Sequence, residues 1–187
     1  MRSNQKKLNL RSALALLIMV VMLFSGGPAS AQDVAVGQAI ADVLASLAVT
    51  SAQDLDFGNV FQGVAKTQDQ TSDAFSGIFN IVGATSAGIN IYMGLPAYLA
   101  LADGSDRLTI AFGTTDGTID TNNTSPSTVV GGDGWVDIDP NNIPAATVIG
   151  LAGQTNIYLG GRVIPAVNQK AGAYAGDVIV TVAYNGT

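Results

Sequence analysis

Short runs of alternating apolar and polar residues recur along most of the chain, separated by clusters rich in Gly, Asn, Asp and Thr. Side chains that repeat every two residues share one face of a β-strand, and the clusters favour tight turns. The pattern therefore predicts an all-β fold, with antiparallel strands arranged as a sandwich. The positions that share a parity are Phe75, Gly77, Phe79 and Ile81; Ile89, Ile91 and Met93; and Leu108, Ile110 and Phe112.

Two later segments carry different patterns. From Val178 to Tyr184 the residues of both parities are mostly apolar, which predicts a strand buried on both faces. The stretch 114–144 is rich in Gly, Asn, Asp and Pro. We interpret it as long polar connections that contain one short strand around residues 135–138.

The first 31 residues have the composition of an export signal. An uncharged apolar run, 12–24, ends at Ser25-Gly26-Gly27-Pro28, and the small residues Ala29-Ser30-Ala31 follow. The run is shorter than the roughly 20 residues that span a bilayer, so we favour a cleaved Sec-type signal peptide over an uncleaved membrane anchor. This predicts cleavage before Gln32, secretion or display at the cell surface, and no membrane span after cleavage. The basic residues that precede the run are Arg2, Lys6, Lys7 and Arg11.

The parity of the apolar positions changes soon after this site. Val34, Val36 and Ile40 are even-numbered, whereas the apolar residues of 43–49 are mostly odd-numbered. One continuous strand cannot place both sets on the same face. We therefore predict an N-terminal extension, 32–41, that acts as a donor segment and adds to the sheet edge of a neighbouring subunit. Val34, Val36 and Ile40 would fill pockets there; a bulged strand of the same domain and an unstructured terminus are the alternatives.

The remaining residues, 42–187, are predicted to form the sandwich domain. Its first segment is ambiguous, because residues 38–50 fit both a helix and a strand. The β-rich remainder of the chain favours the strand. The residues at helical spacing are Ile40, Val43, Leu44 and Leu47.

The composition of the chain excludes several kinds of functional site. The 187 residues include no Cys and no His, and all 14 acidic residues are Asp. This excludes disulfides, zinc sites built on Cys or His, thiol enzymes and an imidazole base. Loss of four of the eight basic residues with the signal leaves four against 14 aspartates, a net charge of −10, which disfavours nucleic acid and anionic lipid as partners. We predict a protein that is not an enzyme and needs no cofactor.

Several groups of residues are weaker candidates for sites. The carboxylates of Asp54 and Asp56 lie two residues apart on the exposed face of a predicted strand, where nothing favours a glycosidase role. Scattered aromatic residues could line a sugar-binding surface, although core or rim positions are the commoner explanation. The Asp clusters could bind calcium, although Asx turns explain them better because their spacing is not that of an EF-hand loop. The aromatic residues are Tyr92, Tyr98, Trp135 and Tyr158, and the cluster residues are Asp103, Asp106, Asp133, Asp137, Asp139 and Asn141.

Two stretches resemble a known family. The first is 51–60 (SAQDLDFGNV), followed by Gly63, and the second is 159–163 (LGGRV), continued by 168–177 and a final strand to Tyr184. They resemble the exported bacterial proteins called domain of unknown function 4402, and are more distantly similar to spore-coat-U-like and chaperone–usher fimbrial subunits. The resemblance implies an immunoglobulin-like sandwich that serves as a building block of surface filaments, with identical subunits and a periplasmic chaperone as candidate partners. The chain lacks the cysteine pair common in the fimbrial subunits.

The matching residues also have a local interpretation. Leu55 and Phe57 are predicted to be buried while Asp54 and Asp56 stay in water, and Gly58 allows a bend. The segment 172–176 is predicted to form a tight corner whose Tyr174 bonds back to the backbone.

Together these patterns predict a structural subunit of an extracellular filament or fimbria-like assembly that polymerises by β-strand donation. The alternative is a secreted monomeric adhesion or carbohydrate-binding module that uses the 114–144 loops.

Overall fold

A computed structural model of the chain describes residues 35–122 and 134–186. The chain divides into two units after Asp42, and the unit Val43–Thr187 contains every strand of the described residues. The strands are β1 (Ala48–Gln53), β2 (Lys66–Gln68), β3 (Gly77–Val82), β4 (Gly88–Gly94), β5 (Tyr98–Leu101), β6 (Arg107–Ala111), β7 (Gly117–Asp120), β8 (Trp135–Ile138), β9 (Thr147–Val148), β10 (Gln154–Leu159), β11 (Gly161–Ile164), β12 (Tyr174–Ala175) and β13 (Ile179–Tyr184).

These strands form three antiparallel sheets. The first sheet has the order β1-β3-β10-β7-β8, the second β12-β5-β6-β11-β2, and the third β13-β4-β9. Strands β4 and β5, and likewise β12 and β13, follow each other closely along the chain, so the third sheet continues into the second. The prediction of an all-β, antiparallel, sandwich-like architecture is confirmed.

The larger part of the core lies between the first and third sheets. Ile81 and Ile157 from the first sheet pack in one cluster with Ile89 from the third, and all three are fully buried. A second cluster lies beneath the second sheet and contains Leu108 and Ile110. The parities predicted from 89–93 and 108–110 are therefore confirmed. Burial of each such side chain stabilises the fold by about 1.5–3 kcal/mol.

The two ends of the predicted domain differ from the structure. No strand covers residues 35–47, and β1 begins only at Ala48, so the strand predicted from residue 38 is wrong over most of its length. The strand predicted to be buried on both faces is also wrong, because Ile179 is 60% exposed and Val180 is only half-buried. The physical reason is that the third sheet is covered on one face only, because Tyr92 on its central strand β4 is also exposed, on the same face as Ile179.

The segment interpreted as long connections contains more structure than predicted. The short strand around Trp135 is confirmed as β8, but Gly117–Asp120 forms a second strand, β7, which is wholly buried. Its polar residue Thr118 is buried because its hydroxyl donates to Asp137 across the pair, over 3.0 Å. A cross-strand partner thus allows burial that the sequence pattern does not predict.

One hydroxyl group holds the chain just before β1. The Tyr184 hydroxyl donates to the carbonyl of Ala45 over 2.9 Å and accepts the backbone N–H of Ala84 over 2.7 Å. A Cβ atom at Gly83 would lie 2.6 Å from the Tyr184 oxygen, so only glycine allows this approach. We call this pair of bonds the clamp; it holds the chain at Ala45, three residues before β1 begins.

We predict that Tyr184→Phe lowers the free energy of unfolding by about 1–2 kcal/mol, because two backbone groups lose their partner. Urea denaturation followed by circular dichroism measures this change. The matched control is Tyr92→Phe, since Tyr92 is 70% exposed on β4. Equal losses in both variants would contradict the clamp.

Candidate functional site

A groove opens between two stretches of the chain, which we call the first wall (residues 51–62) and the second wall (residues 165–178). It consists of two adjoining cavities that share lining residues, Leu55 and Tyr174 among them. The cavities have volumes of about 600 and 1050 Å³. We call the whole feature the side groove.

The floor of the side groove is the hydrophobic core itself. Phe79 and Leu159 lie under the smaller cavity, and Leu108 and Val163 lie under the larger one. All four side chains are otherwise buried. An apolar segment laid in the groove would therefore extend the core.

The walls continue into strand edges. Among the described strands, β1 is the edge of the first sheet, while β12 and β13 are edges of the second and third sheets. An edge strand presents backbone N–H and C=O groups along its free side. The groove thus combines an apolar floor with hydrogen-bonding edges, which is the arrangement that binds an extended peptide as an added strand.

The first wall has the conformation predicted from its sequence. Phe57 is buried and Leu55 half-buried, whereas Asp54 and Asp56 are exposed. Gly58 has a φ of 56°, a conformation that favours glycine, and its N–H donates to the Asp56 carboxylate over 2.6 Å. The wall bends at this point, as predicted.

The second wall is held by one carboxylate. Asp106 accepts hydrogen bonds from the Lys170 N–H (2.8 Å), the Gln169 side-chain amide (2.7 Å) and the Tyr174 hydroxyl (2.7 Å). The Tyr174 hydroxyl also lies 2.9 Å from the carbonyl of Lys170, so the predicted tyrosine corner is present. These bonds fix a stretch in which only two residues, Tyr174 and Ala175, form a strand.

The two walls meet at one end of the groove. The Gly63 N–H donates to the carbonyl of Ala166 over 3.0 Å, and the Gln62 side chain donates to the carbonyl of Gln169 over 2.5 Å. This end is therefore closed. At the opposite end, between Ser51 and Val178, no backbone hydrogen bond joins the walls within the described ranges.

Charge differs between the two cavities. The smaller cavity, the acidic part, is lined by Asp54, Asp56 and Asp177. The larger cavity, the lysine part, is lined by the exposed Lys170 and by Asp56, which it shares with the smaller cavity. Lys66 lies beside it, because its ammonium group donates to the carbonyl of Asn59 over 3.3 Å. Both lysines therefore lie at the closed end of the groove, where the Asp106 carboxylate holds the second wall, whereas Asp54 and Asp177 line only the cavity at the open end.

The predicted donor segment lies partly within the described residues. Val34 lies outside them. Val36 is 91% exposed and Ile40 is 83% exposed, and neither belongs to a strand. Two large apolar side chains on this short segment thus lie in water.

The aspartates considered as calcium ligands are placed apart. Asp103 and Asp139 each accept the N–H two residues ahead over 2.9 Å, which is the Asx-turn arrangement. Asp106 holds the second wall, and Asp137 accepts from the indole N–H of Trp135 over 3.1 Å. No group of three or more metal-binding side chains occurs in residues 35–122 and 134–186, which exclude Asp133.

The four aromatic candidates do not form one surface. Trp135 stacks on the buried Tyr158 of the first sheet, with 5.4 Å between ring centroids. Tyr92 lies on the third sheet and Tyr98 on the second, where the Arg107 guanidinium covers its ring at 4.3 Å. The four residues thus lie on three different sheets, and the stacked pair of Trp135 and Tyr158 is separate from both Tyr92 and Tyr98.

Comparison of the chain with protein-family models, with curated proteins and with solved structures found no match. Within the described ranges, no helix has the length and apolar character required to cross a membrane.

Asp106 has a structural role that its place in an Asp cluster does not indicate. The sequence pattern favours an Asx turn at this residue, whereas its carboxylate supports the second wall. Hydrogen bonds from the backbone of Lys170 and from the Tyr174 hydroxyl lower the pKa of Asp106 from 3.8 to about 2. The charged form is therefore favoured in the folded state.

We predict that this carboxylate makes the fold acid-sensitive. A lowered pKa in the folded state means that the unfolded chain binds the proton first, so the stabilisation is present above pH 3.8 and is lost as the pH falls through about 2. The melting temperature of the natural protein should drop more steeply over this interval than that of Asp106→Asn. The control Asp54→Asn removes an exposed carboxylate outside the network and should follow the natural profile.

Proposed function

We propose that this protein is a structural subunit of an extracellular filament or fimbria-like assembly, and that its subunits polymerise by β-strand donation. The observation that carries the proposal is the side groove, whose floor is the core and whose walls continue into edge strands. The donated strand is the N-terminal extension of another copy, with Val34, Val36 and Ile40 directed at the floor. The role is structural and not enzymatic.

The donor segment contains enough residues to follow the first wall. Residues 32–40 would span about 30 Å when extended, at roughly 3.3 Å per residue. The part of the first wall that follows β1, residues 54–62, has the same number of residues. The segment is therefore long enough to follow this wall along the groove.

Burial supplies the driving force. Val36 and Ile40 are largely exposed in the single chain, and transfer of each to the core contributes about 1.5–3 kcal/mol. Backbone hydrogen bonds to the wall edges add affinity that does not depend on side chains. Because the donating and accepting surfaces differ, the contact is heterologous and repeats from copy to copy, which generates a filament.

The finer description of the fold belongs to the same proposal. An immunoglobulin-like, pilin-like sandwich is supported by the Tyr174 corner, whose hydroxyl meets the backbone four residues upstream. Export through a Sec-type signal, with cleavage before Gln32, places the subunit at the cell surface and frees the donor segment. A secreted monomeric adhesion or carbohydrate-binding module is the alternative.

We predict that deleting residues 32–40 abolishes filaments while the shortened protein remains folded, because the acceptor groove loses its occupant. Negative-stain electron microscopy and sedimentation of the secreted protein measure assembly, and circular dichroism measures folding. Filaments formed by the shortened protein would contradict strand donation. Uniform monomers of the natural protein would instead favour the alternative.

The chain offers a matched pair of variants for the same test. Val36→Asp with Ile40→Asp places charges on the face directed at the groove floor, and should abolish filaments. Ala35→Asp with Ala39→Asp adds the same charges on the opposite face of the strand, and should leave filaments intact. Equal effects of the two double variants would contradict the proposed register.

A further inference from the structure

We propose that the side groove accepts the donated segment in one orientation, set by a charge pair between Asp33 of the incoming copy and Lys66 and Lys170 of the receiving copy. This inference rests on the proposed strand donation and adds its direction. The incoming chain would run from the closed end of the groove to the open end. It would lie antiparallel to the first wall and parallel to the second.

The groove is electrically asymmetric. Asp54 and Asp177 line only the acidic part and Asp56 lines both parts, whereas Lys170 lines only the lysine part and Lys66 borders it. Among the described residues, the ammonium group of Lys170 has no carboxylate partner. These two lysines are half of the four basic residues that follow the signal segment. Two ammonium groups at one end of the groove favour a carboxylate of the incoming strand at that end.

One carboxylate lies on each side of the apolar positions of the donor segment, and none lies between. Asp33 precedes the apolar positions and Asp42 follows them, while residues 34–41 are uncharged. The two carboxylates are about 30 Å apart in an extended chain, at roughly 3.3 Å per residue. Only one of them can therefore lie at the lysine part while the uncharged residues cross the acidic part.

The donor segment remains joined to its own domain, and this connection determines that Asp33, and not Asp42, lies at the lysine part. The lysine part is the closed end, where Gly63 is bonded to Ala166. A chain terminus can end beneath this bridge, and only Gln32 precedes Asp33 after signal cleavage. Asp42, by contrast, is three residues from Ala45, which the Tyr184 hydroxyl holds on the donating subunit. The folded body of the donor therefore fits the open end of the groove and not the closed end.

Charge reversal in the full exported protein tests the orientation. Asp33→Lys and Lys170→Asp should each raise the concentration needed for polymerisation by about fivefold, as expected for one exposed ion pair replaced by repulsion. The double variant Asp33→Lys with Lys170→Asp should restore the natural value. The effects of the single variants should vanish in 1 M salt, which screens exposed charges but leaves the apolar contact in place. Lys170 is exposed, so thermal melting should be unchanged in its variant.

The matched control reverses the charge of Asp42, the carboxylate on the other side of the apolar positions. Asp42→Lys with Lys170→Asp should show no restoration beyond Lys170→Asp alone. Restoration by Asp42→Lys and not by Asp33→Lys would overturn the orientation and leave strand donation standing. Absence of polymer from the natural protein would overturn the proposed function itself. A salt-independent loss in Lys170→Asp would show a structural effect and contradict the charge pair.

Discussion

The structure depends on two strand edges that remain open on the same side of the second unit. β1 lies next to β13, yet among the described strands each forms a ladder only on its far side. As a result Val49 and Val180, which contact the core, are only half-buried. The core is open where the sheets fail to close, and the side groove is the continuation of that opening. The unpaired edges of β1 and β13 and the half-buried core residues therefore have the same cause. A single added strand would pair with the edges and cover the core.

An open groove needs walls that keep their shape without an occupant. The second wall has almost no ladder of its own, because β12 contains only two residues. Side-chain bonds to Asp106 replace the missing backbone bonds, and three donors converge on one carboxylate oxygen. In a chain without cysteine, this network takes the place of a disulfide cross-link.

Local features of the fold could be predicted from the sequence. The burial of Phe57 beside the exposed Asp56 follows from period-two alternation, and the Tyr174 corner closes over only four residues. Asp106 could not be assigned in this way, because 64 residues separate it from Lys170. A periodic pattern shows which residues share a face of a strand. It does not show which distant segment of the chain covers that face.

The same limit explains the wrong predictions for β13 and β7. Apolar residues of both parities in β13 predicted two buried faces, but the third sheet is covered on one face only, which leaves Ile179 exposed. In β7, Thr118 and Asp120 have the composition of a loop, yet both are buried within a five-stranded sheet. The packing around each sheet, which the one-dimensional pattern does not contain, decided both outcomes.

In the proposed assembly, charge and apolar burial have separate roles. After signal cleavage each copy carries a net charge of −10, so copies repel one another at long range. Moderate salt screens this repulsion and should favour association, while it also weakens the pairing of Asp33 with the two lysines. The attraction that holds a filament together must then come from Val34, Val36 and Ile40 on the groove floor, since burial of apolar surface does not depend on ionic charge. In this proposal the lysines determine the orientation of the donated strand, and burial in the open core supplies the affinity.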